Sequence, residues 1–350
     1  MSEETALGGI INMGLTCYAN SVIQCFRHCP KLSWMFKETN YKRFFQSDPV
    51  KTRDAQQRLC ESFGDVIQLL EKCRKGQSVR PTDFWIKFRT AVQDTGFEHL
   101  TVRIPHDSHE FYLCLLDIVH EALAQSVEMR ILKAEPRTEE ERRCIQALDT
   151  WKKEFESKYS PLVDLFYGLA HVVIECKGCG NKTHRWETFT SIKGVISEGA
   201  ATPSLQEMIR EELKPEVIPG YDCDKCRPNK QDAMRTVRLW RLPLYLTVVI
   251  KRFTPNGRKI NKPMSPLSDE PVNFQEFFSE ESPEYDGNLK YNLLGIVDHH
   301  GGAGGGHYTA QCKKIGSDNW HVYDDESSHS IPNPMFGGST YMLWFSRADA

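Results

Sequence analysis

A chain of 350 residues holds about two domains' worth of core, or one large subdivided fold. Hydrophobic residues make up 40% and charged residues 26%, a balance that excludes a disordered chain. Lysines and arginines number 44 against 47 aspartates and glutamates, a formal net charge of −3, so no global basic field points to nucleic acid or an anionic membrane.

The most apolar run, 242–250, contains a proline and falls far short of the ~20 residues a bilayer span needs. The opening Met1-Ser2-Glu3-Glu4-Thr5 lacks the basic start and apolar middle of a signal peptide. The expectation is an intracellular monomer, cytoplasmic and/or nuclear, with no nucleic-acid or membrane partner. Its twelve cysteines then read as thiols, metal ligands or a nucleophile instead of a disulfide scaffold.

The N-terminal half has helical texture. After Asn12-Met13-Gly14, apolar Val22, Ile23 and Phe26 recur at helical spacing up to a stop at Pro30. Leu59, Phe63, Val66, Ile67 and Leu70 form a second amphipathic stripe. Residues 111–123 are apolar on nearly every face, which predicts a buried helix, and Asp107-Ser108-His109-Glu110 before them has the form of a capping box. The charged stretch 135–159, with a thin stripe of Ile145, Leu148, Trp151 and Phe155, predicts a solvated surface helix. From about Gly168 the texture changes to strands, predicted at 169–175, 184–196, 235–253, 290–297, 307–313, 320–323 and 341–345. Long polar connections are expected at 254–270 and 299–306. Helices first and strands later is an α+β pattern.

Cys17 follows a glycine and opens a helical pattern. A helix N-terminus favours thiolate over thiol, and its free N–H groups, with the Asn12 amide, can hold a developing oxyanion. The candidate base is His307, where a glycine cluster (five of six positions, 301–306) meets a strand. His299 and His300 are read as decoys of the same type, on the far side of that loop. Asp324 or Asp325, ending Trp320-His321-Val322-Tyr323, supplies a carboxylate to orient the imidazole. Cys176-x-x-Cys179 and Cys223-x-x-Cys226 sit on turns between strands. Together they predict a closed, structural zinc site of four cysteines with a β-hairpin insertion between its halves. Redox pairs are the rival reading, but neither pair opens a helix.

Together these residues resemble the ubiquitin-specific protease family of cysteine deubiquitinases, from about Gly8 to Arg347. The segment from Asn12 to Gln24 is similar to that family's cysteine box. Gly306-His307-Tyr308-Thr309-Ala310 with Trp320-His321-Val322-Tyr323-Asp324-Asp325 resembles its histidine box. Leu242-Pro243-Leu244-Tyr245-Leu246, Lys251-Arg252-Phe253 and Tyr341-Met342-Leu343-Trp344-Phe345 fit as well.

The resemblance implies a papain-like hand in a single catalytic domain: a helical thumb over about 1–165, mainly fingers over 166–250 and mainly palm over 251–350. It implies hydrolysis after the C-terminal glycine of ubiquitin, no catalytic cofactor, and ubiquitin and ubiquitinated proteins as partners. Cys17, His307 and Asp324 match the triad and Asn12 the oxyanion-hole asparagine, while Asp325 is a neighbouring acidic position that assists the hole or the histidine. Asp107 and Tyr308 match substrate-binding positions. Leu15, and Pro105-His106 before Asp107, depart from the family pattern. The rival readings are the same chemistry on another ubiquitin-like modifier, an inactive ubiquitin-binding module, and a zinc-ribbon nucleic-acid binder. The last is disfavoured by charge.

Overall fold

The computed structural model describes residues 6–37, 39–45, 54–132, 135–197, 199 and 201–349; the opening residues 1–5 lie outside it. Among the described residues, seven α-helices form the first half: α1 (Cys17–Arg27), α2 (Pro30–Lys37), α3 (Asp54–Lys72), α4 (Thr82–Ala91), α5 (Ser108–Leu123), α6 (Glu139–Phe155) and α7 (Pro161–Phe166). A short parallel pair, β1 (Gly9–Ile10) and β2 (Ser78–Val79), ties the start of the chain to the end of α3. Every residue of α1 is buried, so the helix that opens with Cys17 runs through the middle of the molecule. Pro30 does not merely stop α1. It opens α2, where its missing N–H costs nothing. The predicted stripes of α3 and α5 are buried.

On α6 the buried residues are Ala147, Trp151 and Phe155, while Leu148 is half exposed. Trp151 and Phe155 are buried as predicted, and Ala147 takes the place expected of Leu148 because the helix turns its i, i+4, i+8 row onto Trp186 and Trp240.

The second half holds two sheets. The smaller is antiparallel in the order β4 (Lys182–Phe189), β3 (Gly168–Cys176), β7 (Gln231–Arg241), β6 (Glu216–Tyr221). The larger, eight-stranded sheet runs β13 (Ser327–Ile331), β12 (Trp320–Asp324), β11 (Gly305–Lys313), β10 (Lys290–Gly302), β14 (Thr340–Arg347), β8 (Tyr245–Lys251), β5 (Ile192–Val195), with β9 (Val272–Asn273) on the start of β10. β5 joins β8 in parallel and the other pairs are antiparallel. A last helix, α8 (Leu205–Glu212), lays Leu205, Met208 and Ile209 on β5, where Gly194 leaves room for Met208.

Four expectations about the second half change here. The stretch 184–196 is two strands in different sheets, and so is 235–253, which breaks at Leu242-Pro243-Leu244 because proline cannot donate to a ladder. Between the two cysteine pairs lies no simple hairpin. The chain leaves the small sheet, adds β5 and α8 to the large one, and returns as β6. Finally, 299–306 is a ladder and not a loose connection: β10 and β11 pair through His300–His307 and on to Gly302–Gly305.

α1 packs across β10 and β11 in one continuous core, with Phe26 and Trp344 edge to face at 4.9 Å. The N-terminus of α1 therefore meets the ends of β11 and β12 along a seam between helices and sheet. Among the described residues no helix is long and apolar enough to cross a membrane.

Candidate active site

The turn before α1 is organised by one side chain. Asn12 Oδ1 accepts from the N–H groups of Gly14 (2.9 Å) and Thr16 (3.1 Å), while Thr16 Oγ1 accepts from Met13 N at 2.9 Å. Gly14 and Leu15 take left-handed φ values of 98° and 61°, and Leu15 is pushed into solvent. The Asn12 amide nitrogen donates to Asp325 Oδ2 at 2.8 Å, and the other oxygen of Asp325 receives Asn20 Nδ2 from α1 at 2.7 Å. Asp325 thus clamps Asn12 to the start of α1. Its own backbone is left-handed (φ 47°) at the β12–β13 turn, and its carbonyl accepts from Ile10 N at 2.7 Å. Gly9 passes so close to this turn that a Cβ would lie 2.3 Å from the Glu326 carbonyl, so only glycine fits.

Asp324, the last residue of β12, has a different partner. Its Oδ1 lies 2.6 Å from His307 Nε2, with both side chains about half exposed. Binding at Nε2 leaves Nδ1 as the ring nitrogen free to accept a proton. His307, Asp324 and Asp325 converge within 4.8 Å.

Cys17 is buried, and burial raises its pKa. The Tyr308 backbone N–H and those of the first helical residues pull it down, while the Asp325 charge adds to the rise. The net direction is upward, which corrects the expectation of a thiolate favoured by position alone. Removal from water outweighs the helix terminus, so the thiol needs a base to ionise.

Cys17 opens onto a cleft of about 450 Å³ floored by Gly302 to Gly306 and walled by Tyr18, His106, Asp107, Phe253 and Tyr308. The Tyr308 side chain is buried against His299, ring centroids 4.5 Å apart. Asp107 is the N-cap of α5: Oδ1 accepts from His109 N (2.7 Å) and Glu110 N (3.1 Å), and Oδ2 from the Tyr341 hydroxyl (2.6 Å). Glu110 does not close the capping box. It turns to His99 at 2.9 Å.

The four knuckle cysteines meet at the tip of the small sheet. Sγ–Sγ distances are 3.8 Å for Cys176–Cys226 and 3.7 Å for Cys179–Cys223, with all four sulfurs within 4.8 Å. Tetrahedral zinc with ~2.3 Å bonds to sulfur separates its ligands by about 3.8 Å. The group could hold a metal ion, and its geometry fits zinc.

Sequence reasoning missed Asn20, whose link to Asp325 spans 305 positions and leaves no local signal. It also misplaced His299, which stands opposite Tyr308 in the hairpin and lines the same cleft; a Cβ on Gly306 would lie 2.4 Å from its ring.

Comparison with known proteins agrees with this architecture. The family model of the ubiquitin carboxyl-terminal hydrolases matches residues 8–345, and the chain belongs to that family. Human ubiquitin carboxyl-terminal hydrolase 2 is 26% identical over 360 residues, covering 99% of this chain and 56% of that protein. Ubiquitin carboxyl-terminal hydrolase 5 of Saccharomyces cerevisiae is 27% identical over 366 residues, covering 97% and 44%. The chain spans about half the length of the curated relatives it matches. Among solved structures, the SAGA DUB module bound to monoubiquitin superposes with a TM-score of 0.72 at 21% identity, covering 99% of this chain and 70% of that one. A yeast SAGA DUB module gives 0.71 at 22%. The fold is the α+β hand of these proteins.

Proposed function

We propose that this chain is a thiol isopeptidase unit that hydrolyses the peptide or isopeptide bond after the C-terminal glycine of ubiquitin. One observation carries this reading: a histidine–aspartate pair at 2.6 Å faces the same seam as an asparagine amide locked beside the helix that opens with Cys17. His307 Nδ1 takes the Cys17 proton, and the thiolate attacks the glycine carbonyl carbon. The carbonyl oxygen takes up the electron pair and is met by the second N–H of the Asn12 amide, which Asp325 orients. Collapse expels the amine, protonated by His307. A water deprotonated by the same ring then cleaves the thioester and restores the thiol. Asp324 holds the ring and stabilises its charged form.

Asp107, with one acceptor position left after its three hydrogen bonds, and Tyr308, whose N–H faces Cys17, are the proposed contacts for the substrate's basic tail and its last residues. We assign the helical half as thumb, the small sheet as fingers and the large sheet as palm of a single unit. In the fingers, Cys176, Cys179, Cys223 and Cys226 would hold zinc, which cross-links two turns and takes no part in the reaction. Twelve unpaired thiols suit a reducing, intracellular setting.

The test is turnover of ubiquitin carrying a C-terminal fluorogenic amide, beside covalent capture by a ubiquitin vinyl electrophile. Turnover, and capture at Cys17, are expected. Faster turnover of another ubiquitin-like modifier would overturn the substrate assignment. Tight ubiquitin binding without turnover or capture would overturn the enzymatic one.

A further inference from the structure

Away from the thiols, the small sheet carries a second set of metal-ligating side chains. His171 on β3, His184 on β4 and Glu281 offer one ligand atom each, all within 4.8 Å of one another. His171 comes five residues before Cys176 and His184 five after Cys179, so extended strand separates this cluster from the knuckles by roughly 16 Å. One ion cannot serve both.

His171 Nε2 lies 2.9 Å from His184 Nδ1, and His171 Nδ1 faces Ser279 Oγ at 3.4 Å. With its proton on Nδ1, toward the serine, His171 presents the Nε2 lone pair inward, and His184 does the same once its proton moves to Nε2. Neither change costs the protein a proton. The His171 ring is fixed by stacking on Trp186 (centroids 4.9 Å apart, planes 6° apart) and by the edge of Trp240 at 5.2 Å. Glu281 gives one oxygen to Arg143 of α6, while its Oε2 is buried with no hydrogen-bond partner. A carboxylate oxygen shut away from water without a donor is costly unless something fills the place.

We propose that His171, His184 and Glu281 form a second metal centre, taking a divalent transition-metal ion such as Zn2+ through two imidazole nitrogens and one carboxylate oxygen. Two nitrogens and one oxygen suit zinc, cobalt, nickel or copper and not the all-oxygen cations, and three protein ligands leave one position for water. The centre lies at the root of the small sheet. Ser279 N bonds the Leu239 carbonyl at 2.8 Å, and Ser282 Oγ bonds that of Trp240 at 2.5 Å. The ion would therefore clasp β3 and β4 to the 279–282 segment and, through Arg143, to α6.

The experiment counts zinc in the full chain after equilibration with the ion and gel filtration. Two equivalents per chain are expected in the unsubstituted protein and one in His171→Gln, His184→Gln and Glu281→Gln. Cobalt titration distinguishes the sites, because only the thiolate site gives sulfur-to-metal charge-transfer bands. Glu281→Gln leaves both rings stacked, so it stays informative if the histidine variants fail to fold, and its second-site affinity should fall at least about tenfold. A single equivalent in the unsubstituted protein under excess zinc overturns the proposal. So does an unchanged second equivalent in folded Glu281→Gln and His184→Gln.

Discussion

Along the large sheet, β8 is buried continuously from Tyr245 to Ile250, and both faces meet apolar cores that include Phe26, Trp344, Leu205 and Phe274. Beyond its root, the small sheet has only Val172, Ile174 and Ala233 as a buried cluster, while β6 is exposed along most of its length. At ~1.5–3 kcal/mol for each large buried side chain, three residues offset only a few ordered residues' worth of conformational entropy. The large sheet is ordered by burial and can carry half-exposed reacting groups at its edge. The small one needs a cross-link at its tip. Changes at the active site should thus cost activity with little stability, and changes at the knuckles the reverse.

The largest expected effect is at the active site. Cys17→Ala should abolish turnover while ubiquitin binding and thermal stability persist; turnover above a trace would assign the nucleophile elsewhere. Because burial raises the Cys17 pKa, the reaction leans on its base. Asp324→Ala is expected to lower kcat/KM by ~10³-fold, nearer the serine-protease triad limit than a preformed thiolate would require. Asp325→Ala frees Asn12 and Asn20 instead and should cost ~10²-fold, the scale of one oxyanion donor. A larger loss from Asp325→Ala would reverse the two roles.

At the knuckles the order inverts. Cys223→Ser, or chelation, should speed amide exchange across the cysteine turns and the outer ends of β3, β4, β6 and β7, and leave the β10–β14 ladder protected. Uniform loss of protection in both sheets would show that the two are not ordered separately.

Acid should act on both sheets, because burial also holds His171 of the small one down at about 4, and two histidines of the large one carry the effect there. His299 and His321 are both held down at about 4, first by burial. His299 also faces Lys259, His300 and His307, and His321 faces His28, Lys314, Arg27 and Lys75. In the unfolded chain both titrate near 6.5, so as pH falls the unfolded state takes up protons first. Their contribution is complete above about 6.5 and is lost progressively toward 4, at most about 3 kcal/mol each. Urea midpoints between pH 7.5 and 4.5 should drop, and His321→Asn should flatten the slope. A midpoint independent of pH over that range would contradict the assignment.

These contrasts were unevenly legible in the sequence. Local context offers Cys17, His307, an aspartate at either Asp324 or Asp325 and the four knuckle cysteines as candidates, while the choice of Asp324 comes from the family resemblance; the periods of α3 and α5 are long enough to read. Where a strand leaves one sheet for another, as at Thr190-Ser191, neither glycine nor proline marks the switch, so 184–196 reads as continuous. β6 carries too little apolar sequence to signal a strand. The Asp325 clamp depends on Asn12 and Asn20, more than 300 positions away, which no local pattern encodes. The Cys17 pKa is legible only in part: the helix terminus can be read from the sequence, but the burial that outweighs it cannot.

The smallest effect separates two roles at Asp107, where helix and palm meet. Its Oδ1 caps α5, and its Oδ2 takes the Tyr341 hydroxyl from β14. Asparagine is as good an N-cap as aspartate. Asp107→Asn should therefore keep α5 capped through its amide oxygen and lose only the acceptor that Tyr341 uses, about 1 kcal/mol of stability. Tyr341→Phe removes the same bond from the other side and should cost a similar amount while leaving the charge in place. If the carboxylate also receives a basic group of the substrate tail, Asp107→Asn raises KM about tenfold with kcat nearly unchanged, the mark of binding shared by ground and transition states. Tyr341→Phe would then leave KM near its starting value. Equal KM changes in the two variants, tracking their equal loss of stability, would leave Asp107 a structural clasp between α5 and β14 and remove it from the substrate site.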